Sequence, residues 1–497
     1  MDGDSISLRD CPGVISFINS GDLAGLRFVN DSREAGRGDV FVAIRGRTTD
    51  GHDWARLAVE NGCTGVVAER PLAGLSCPVC VVSDSRLAWA WLKLAQYGNP
   101  HRSLRISGVT GTNGKTTVTW ILRSILQAAG IQTGLSGTIE YSDGRQNHSS
   151  DLTTPDAGEL ARLLREMRNA RSADCILEIS SHALDQKRCI GFRLATAALT
   201  SISQDHLDYH ESLERYRDCK LKIAELLEPG RPLFVNLDDP GCREALSRLS
   251  AVPVITYGEA EDADLRISAR TITSDGQRFC LELDFGPLEI RTPLFGAHNA
   301  GNLAAAVGMA RQLGVEPEQI TRGLNSMRPI PGRMQRLDGP QPFQVFVDFA
   351  HTPDALAGLL QTCRQLTAGR LLLVFGAGGD RDRSKRPGLA LAARGADEIF
   401  VTSDNPRSEP PLQIIDEICR GFGKEDPFHR IVDRREAIAA ALAAAQPDDI
   451  VLIAGRGHET TQYIGTREIA FSDQRVTQRL LKDLNERNAS DSGGGLT

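Results

Sequence analysis

The sequence predicts a three-domain α/β protein whose central domain is a mostly parallel sheet built around a phosphate loop of the P-loop type. Three observations predict it. A glycine loop sits between an apolar run and a helical pattern at residues 104–126. Apolar runs of four to six residues, each closed by polar or glycine residues and followed by a helical pattern, recur along the chain, as βαβ units do. Two turn signals, Asn99-Pro100-His101 and Pro329-Ile330-Pro331-Gly332-Arg333, divide 497 residues that are too many for one core. The expected domains are 1–100, 101–332 and 333–497.

Residues 1–100 carry short βα patterns, with strands expected at Asp39–Ile44 and Gly65–Ala68. The central stretch opens on the glycine loop. Strands follow at Cys175–Ile179, Ala197–Ser201 and Pro232–Asn236, with helices between them. Alternating polarity over Leu265–Leu294 predicts antiparallel strands. The last stretch runs βαβα in a Rossmann-like way through Gln344–Asp348, Leu371–Phe375, Glu398–Thr402 and Ile450–Ala454. Ligands bind at the carboxyl ends of such strands. The Ala-rich run Ala437–Ala445 reads as helix, and the Ser/Gly-rich tail Asn488–Thr497 as disordered.

Composition excludes several classes. A net charge of −7 gives nothing global to attract nucleic acid or acidic lipid, so any polyanion must be held by local cradles. No apolar run reaches membrane length, and Met1-Asp2-Gly3-Asp4 lacks the charge pattern of a secretory leader. The 11 cysteines are scattered and odd in number, and Cys77-Pro-Val-Cys80 has no second pair to complete a metal site. Buried thiols in a reducing cytoplasm, in a chain acting as a monomer, are the expectation.

The chemistry starts at Gly108-Val-Thr-Gly111-Thr112-Asn113-Gly114-Lys115-Thr116-Thr117. Glycines let backbone N–H groups turn toward phosphate, a helix N-terminus adds positive potential, Lys115 reaches outer phosphates, and Thr116 can hold Mg²⁺. The spacing departs from the usual phosphate-loop pattern, because Val109 stands where the first glycine belongs. Glu178 closes an apolar strand, which suits a Mg²⁺ ligand. Asp205-His206-Leu-Asp-Tyr-His210 follows the next strand. Oxygen donors with one imidazole from this cluster fit Mg²⁺ at a phosphoryl-transfer site better than zinc.

Taken in order, Thr110–Thr117, Glu178-Ile-Ser-Ser-His182, Asp205–His210 and His298-Asn299-Ala-Gly-Asn302 resemble the Mur ligases, the ATP-dependent amide-forming enzymes of peptidoglycan synthesis. Further matching runs are Leu152–Asp156, Ser180–Arg188, Asp348–Asp354, Gly376–Asp382, Asp404–Arg407 and Gly455–Glu459, so the likeness spans almost the whole chain. It implies a uridine-binding first domain, an ATP-binding second and an amino-acid-binding third. By this resemblance Ser32, Arg47, Thr48 and Thr49 match uridine-binding positions. Thr153, Thr154, Ser180, Gln186 and Arg188 match those that hold the muramyl dipeptide. ATP falls to Gly111, Thr112, Asn113, Gly114, Lys115, Thr116, Thr117, Asn299, Asn302 and Arg333. Lys115, Lys220 and His206 are implied as catalytic, and Thr116, Glu178, His206 and Lys220 as Mg²⁺ ligands. Lys220 matches a lysine the family carries as a carbamate, and an anionic carbamate suits a metal where an ammonium would be repelled.

The implied reaction joins an amino acid to UDP-N-acetylmuramoyl-L-alanyl-D-glutamate through an acyl phosphate. Arg381, Asp404, Asn405, Pro406, Arg407, Gly455 and Glu459 are implied to hold the amino acid. Asp404-Asn-Pro-Arg407 marks relatives that add meso-2,6-diaminopimelate. A guanidinium grips a distal carboxylate and repels a lysine side chain. The chain departs from the pattern at Arg456, where lysine is commoner, and at Ser201, where asparagine is common. The alternatives are a lysine-adding ligase, a folylpolyglutamate synthetase-like ligase, which would lack a uridine domain, and a nucleotide switch without ligase activity.

Overall fold

The computed structural model describes residues 6–19, 27–46, 48–273 and 275–493. Three sheets and one separate hairpin organise it. The first sheet has the strand order Val14–Ile18, Val79–Val82, Gly65–Ala68, Asp39–Val42, Arg27–Val29. Its first pair is antiparallel and the rest are parallel. Cys77 and Cys80 are free and buried there, as expected.

The central sheet has 11 strands. Thr133–Ser136, Asp174–Glu178, Arg105–Thr110, Thr196–Leu199, Leu233–Asn236 and Val254–Gly258 lie side by side and parallel. Asp174–Glu178 is buried at every residue, because parallel strands covered on both faces have no solvent side. The alternating stretch forms the expected antiparallel meander, Leu265–Thr273, Gly276–Leu283 and Gly286–Thr292. The helices Lys115–Ala128 and Ala297–Gln312 pack in the core on one face, and Ala157–Asn169 in that on the other.

Gln344–Asp348, Ile450–Ala454, Leu371–Phe375, Glu398–Val401 and Phe428–Arg430 form the parallel part of the third sheet. The helix Arg434–Ala444 covers the predicted Ala-rich run almost to its end. Thr461–Ile464 and Arg467–Ala470 make a hairpin that joins none of the three sheets. One expectation fails at the C-terminus. The helix Asp473–Gly493 continues into the Ser/Gly-rich tail, since propagation of an established helix needs little from each added residue. Residues 494–497 lie outside the described residues. Among the described residues, no helix is long and apolar enough to cross a membrane.

Candidate active site

The phosphate loop begins later than the sequence suggests. Gly108 lies inside the strand Arg105–Thr110, where an added Cβ would come within 2.8 Å of Ile179 and Leu194 side chains. It is glycine for packing, and the cradle proper runs from Gly111. Gly114 has φ of +89°, and a Cβ there would sit 2.5 Å from Asn302 Oδ1. The loop therefore needs glycine both for its backbone and for its neighbour. Gly114 caps the helix Lys115–Ala128, so the helix's unpaired N–H groups open onto the loop.

Side chains fix this loop from outside. Asn113 N donates to Ser201 Oγ at 2.9 Å, so Ser201 braces the cradle. Thr112 Oγ1 lies 3.2 Å from Tyr216 OH. Lys115 Nζ donates to the carbonyls of Gly111 and Thr112 at 2.8 and 3.0 Å, holding its ammonium over the loop. Burial lowers its pKa, while Glu178 and Asp205 act to raise it. Thr117 is buried on the helix face.

Glu178 is fully buried at its strand end, not solvated. Its carboxylate accepts from Thr116 Oγ1 at 2.9 Å, Thr138 Oγ1 at 2.8 Å and Thr138 N at 3.0 Å. Arg333 Nη2 donates to Thr116 Oγ1 at 2.9 Å, and its guanidinium lies 4.8 Å from the Phe349 ring centre. Thr116 and Glu178 thus form a paired oxygen site at the phosphate loop, of the donor type that Mg²⁺ takes alongside water and phosphate.

His206 and Lys220 gather round Tyr216 instead. The His206 ring centre lies 6.4 Å from that of Tyr216, and Lys220 Nζ 4.4 Å. Burial pushes the His206 pKa down to about 3, so the imidazole is neutral and able to ligate. Lys220 is 1% exposed and forms no ion pair with a carboxylate among the described residues. Burial first, and Lys115 second, hold its pKa well below the usual lysine value. A lowered pKa makes the amine easier to deprotonate, and the free amine is the form that carbamate formation requires. Lys222, two residues on, is half-exposed and lies 3.5 Å from Asp185.

Asn299 and Asn302 are buried in the first turns of Ala297–Gln312. Asn299 Nδ2 donates to Phe295 O at 2.8 Å and Asn302 Nδ2 to Asn299 Oδ1 at 3.1 Å. Both face the loop's cavity, so they serve the helix start and line the site together.

Thr153, Thr154, Ser180, Gln186 and Arg188 form one connected cluster. Thr153 Oγ1 lies 3.1 Å from Thr138 Oγ1. Thr154 Oγ1 donates to Glu178 O at 2.7 Å and accepts from Ser180 N at 2.9 Å. Arg188 donates to Thr154 O at 2.6 Å and to Gln186 Oε1 at 2.9 Å. The first-domain residues lie on loops of their own sheet. Ser32 is buried and its carbonyl accepts from Asn61, while Thr48 and Thr49 are exposed. Arg47 lies outside the described residues.

At the third sheet, Asp404 and Asn405 follow the strand Glu398–Val401. Asn405 Nδ2 donates to Glu459 Oε2 at 2.7 Å. Burial and the neighbouring Asp404 raise the Glu459 pKa. Gly455 leaves room for Asp404, whose Oδ2 would lie 2.8 Å from a Cβ there. Arg407 Nη1 donates to Gly379 O at 2.7 Å. Burial, then the charge of Arg381, lowers the Arg407 pKa. Neither arginine pairs with a carboxylate among the described residues. Pro406 contributes its carbonyl to Glu409 N at 3.0 Å.

A single cavity of about 600 Å³ is lined by Lys115, Thr116, His206, Asn302, Arg333, Arg381, Asp404, Arg407 and Glu459. Sequence reasoning missed Lys385 and His351. Lys385 Nζ, from the third domain, donates to buried Asp205 Oδ1 at 3.0 Å, and His351 Nε2 lies 3.7 Å from Asp205 Oδ2. This bridge and nearby cations hold Asp205 well below the usual carboxylate range despite its burial. The runs Asp348–Asp354 and Gly376–Asp382 were the available signal for this face.

Two family models match: the Mur ligase middle domain over residues 109–310, and the Mur ligase glutamate ligase domain over 332–457. A curated relative from Geobacillus kaustophilus, UDP-N-acetylmuramoyl-L-alanyl-D-glutamate--2,6-diaminopimelate ligase, is 42% identical over 461 residues, covering 91% of this chain and 94% of its own. One of the same name from Geobacter metallireducens is 37% identical over 510 residues, covering 97% and 99%. A solved structure bearing that name superposes with a TM-score of 0.66 at 31% identity, covering 97% of this chain and 99% of its own.

Proposed function

The chain belongs to the Mur ligase family, and we propose that it joins meso-2,6-diaminopimelate to UDP-N-acetylmuramoyl-L-alanyl-D-glutamate, driven by ATP, as a cytoplasmic step of peptidoglycan precursor synthesis. One observation carries this reading. Two guanidiniums without carboxylate partners among the described residues, Arg381 and Arg407, share a cavity with two adjacent carboxylates, Asp404 and Glu459, and with the phosphate loop. Diaminopimelate is a zwitterion at both ends, and its distal carboxylate and ammonium complement that charge pattern.

ATP is assigned to the loop from Gly111 to Thr117, with Asn299 and Asn302 toward the base. The dipeptide carboxylate attacks the γ-phosphorus, ADP leaves, and an acyl phosphate forms. The amine of diaminopimelate, once it has lost a proton, attacks the acyl carbon, and phosphate leaves with the carbon–oxygen bonding pair. Lys115 and the helix N-terminus offset charge on the phosphates, and the cavity holds donor and acceptor in line. Thr116 and Glu178 at the loop, with His206 and a carbamylated Lys220 on the Tyr216 side, would hold Mg²⁺, which would supply charge neutralisation at the transferred phosphoryl group. The Thr153–Arg188 cluster orients the dipeptide, with Ser32, Thr48, Thr49 and Arg47 on the uridine. Free, mostly buried thiols support a reducing compartment.

The test is phosphate release from ATP. Release that requires both the UDP-dipeptide and diaminopimelate is expected. Slow release indifferent to either would favour a nucleotide switch.

A further inference from the structure

A two-stranded ribbon is at best marginally stable by itself. The hairpin Thr461–Ala470 joins no larger sheet, and its outer strand Arg467–Ala470 is exposed throughout. It is held where it meets the loop Asp404–Arg407. Gln462 Nε2 donates to Asp404 O at 2.5 Å. Tyr463 N donates to Asn405 Oδ1 at 3.0 Å. Arg407 N donates to Tyr463 O at 3.0 Å, and Gly465 N to Arg407 O at 2.6 Å. The hairpin therefore brackets Arg407 with backbone bonds on both sides.

This bracket matters because Arg407 has φ of +52°. A non-glycine residue keeps such a conformation only where its surroundings over-determine it. Arg456 completes the frame. It is fully buried, and donates to Asn405 Oδ1 at 2.8 Å and to Thr461 O at 2.8 Å. With two donors on Asn405 Oδ1, the amide must point Nδ2 at Glu459. A lysine at 456 has one terminal nitrogen and cannot reproduce this planar fork.

We propose that the hairpin Thr461–Ala470 is the template that sets the amino-acid loop, with Arg456 and Gln462 as positioning residues that fix the Asn405 side chain and the Asp404 carbonyl, and so the backbone that carries Arg407, for the incoming substrate. This rests on assigning that loop to the amino acid. Neither residue is required to touch substrate, so both should act on amino-acid recognition and leave the nucleotide alone.

The experiment uses the full chain with Arg456→Lys and, separately, Gln462→Met, which keeps length while removing the amide. Amide exchange over 404–407 is read by mass spectrometry, together with steady-state constants for ATP and for whichever amino acid the wild type ligates. Faster exchange at the Arg407 amide is expected in both variants. Amino-acid KM should rise about tenfold, with kcat within about twofold, since buried polar groups lose their partners. KM for ATP should be unchanged. Unaltered Arg407 exchange with unaltered amino-acid KM would overturn the proposal. So would a parallel rise in both KM values, which marks a merely structural role. Should Arg456→Lys fail to fold, Gln462→Met carries the same test at the hairpin alone. Because KM is read for the amino acid actually ligated, failure of the diaminopimelate reading changes only which substrate is varied, and the role of the hairpin is still decided.

Discussion

Replacing Arg407 by alanine removes one guanidinium and little else. Its Nη1 is tied to Gly379 O, whereas Nε and Nη2 make no hydrogen bond to the described residues. Those two donors form the fork a distal carboxylate needs. Hydrogen bonds to charged groups contribute about 1.5–3 kcal/mol each, and two on one carboxylate are not additive. A loss of about 3 kcal/mol, roughly two orders of magnitude in kcat/KM for diaminopimelate, follows. Arg407→Lys keeps charge without the fork and should fall between alanine and wild type. All three residues bear the same strain at φ +52°, so it cancels from the comparison. The assay is steady-state ligation with each substrate varied in turn. KM for ATP and for the UDP-dipeptide should stay within about twofold, because the residues proposed to hold them do not include Arg407. A loss below about threefold for diaminopimelate, or an equal loss in ATP affinity, would refute the reasoning.

Three further outcomes are expected. Lys220→Ala should nearly abolish ligation, with added acetate restoring part of it; full activity without acetate would remove the carbamate. Lys115→Ala should lose ATP turnover, while Glu178→Ala should raise the Mg²⁺ concentration needed for half-maximal turnover and leave UDP-dipeptide binding largely intact. An unchanged Mg²⁺ titration in Glu178→Ala would remove it as a ligand. Stability should fall on acidification. His182 and His458 are pushed down to about 4 by burial, so between the unfolded value near 6.5 and that point the unfolded chain binds more protons. Their contribution is intact above about pH 6.5 and is lost progressively toward pH 4. His458→Asn should flatten part of that slope in thermal melts, and an unaltered slope would count against a buried neutral ring.

The repeating strand–loop–helix grammar was legible because parallel strands buried on both faces read as unbroken apolar runs, as at Leu371–Phe375 and Ile450–Ala454. The phosphate loop was legible for the same local reason, though Gly108 turned out to serve strand packing. Lys385 was not legible. Its partner Asp205 lies 180 residues away, and only the fold brings the two within 3.0 Å. Glu178 was seen at a strand end, but its enclosure by Thr116 and Thr138 depends on a turn from another strand. The hairpin over Arg407 carried no signal, since the bonds that matter run through its backbone.

The most direct measurement is an amino-acid panel offered to the wild-type protein with UDP-N-acetylmuramoyl-L-alanyl-D-glutamate, ATP and Mg²⁺, read by product mass. The expected result is a product heavier by one diaminopimelate residue, with L-lysine ligated poorly or not at all. Lysine ligated as readily as diaminopimelate, or no product with either, would contradict the assignment of Arg407 and Glu459 to the two ends of the incoming amino acid.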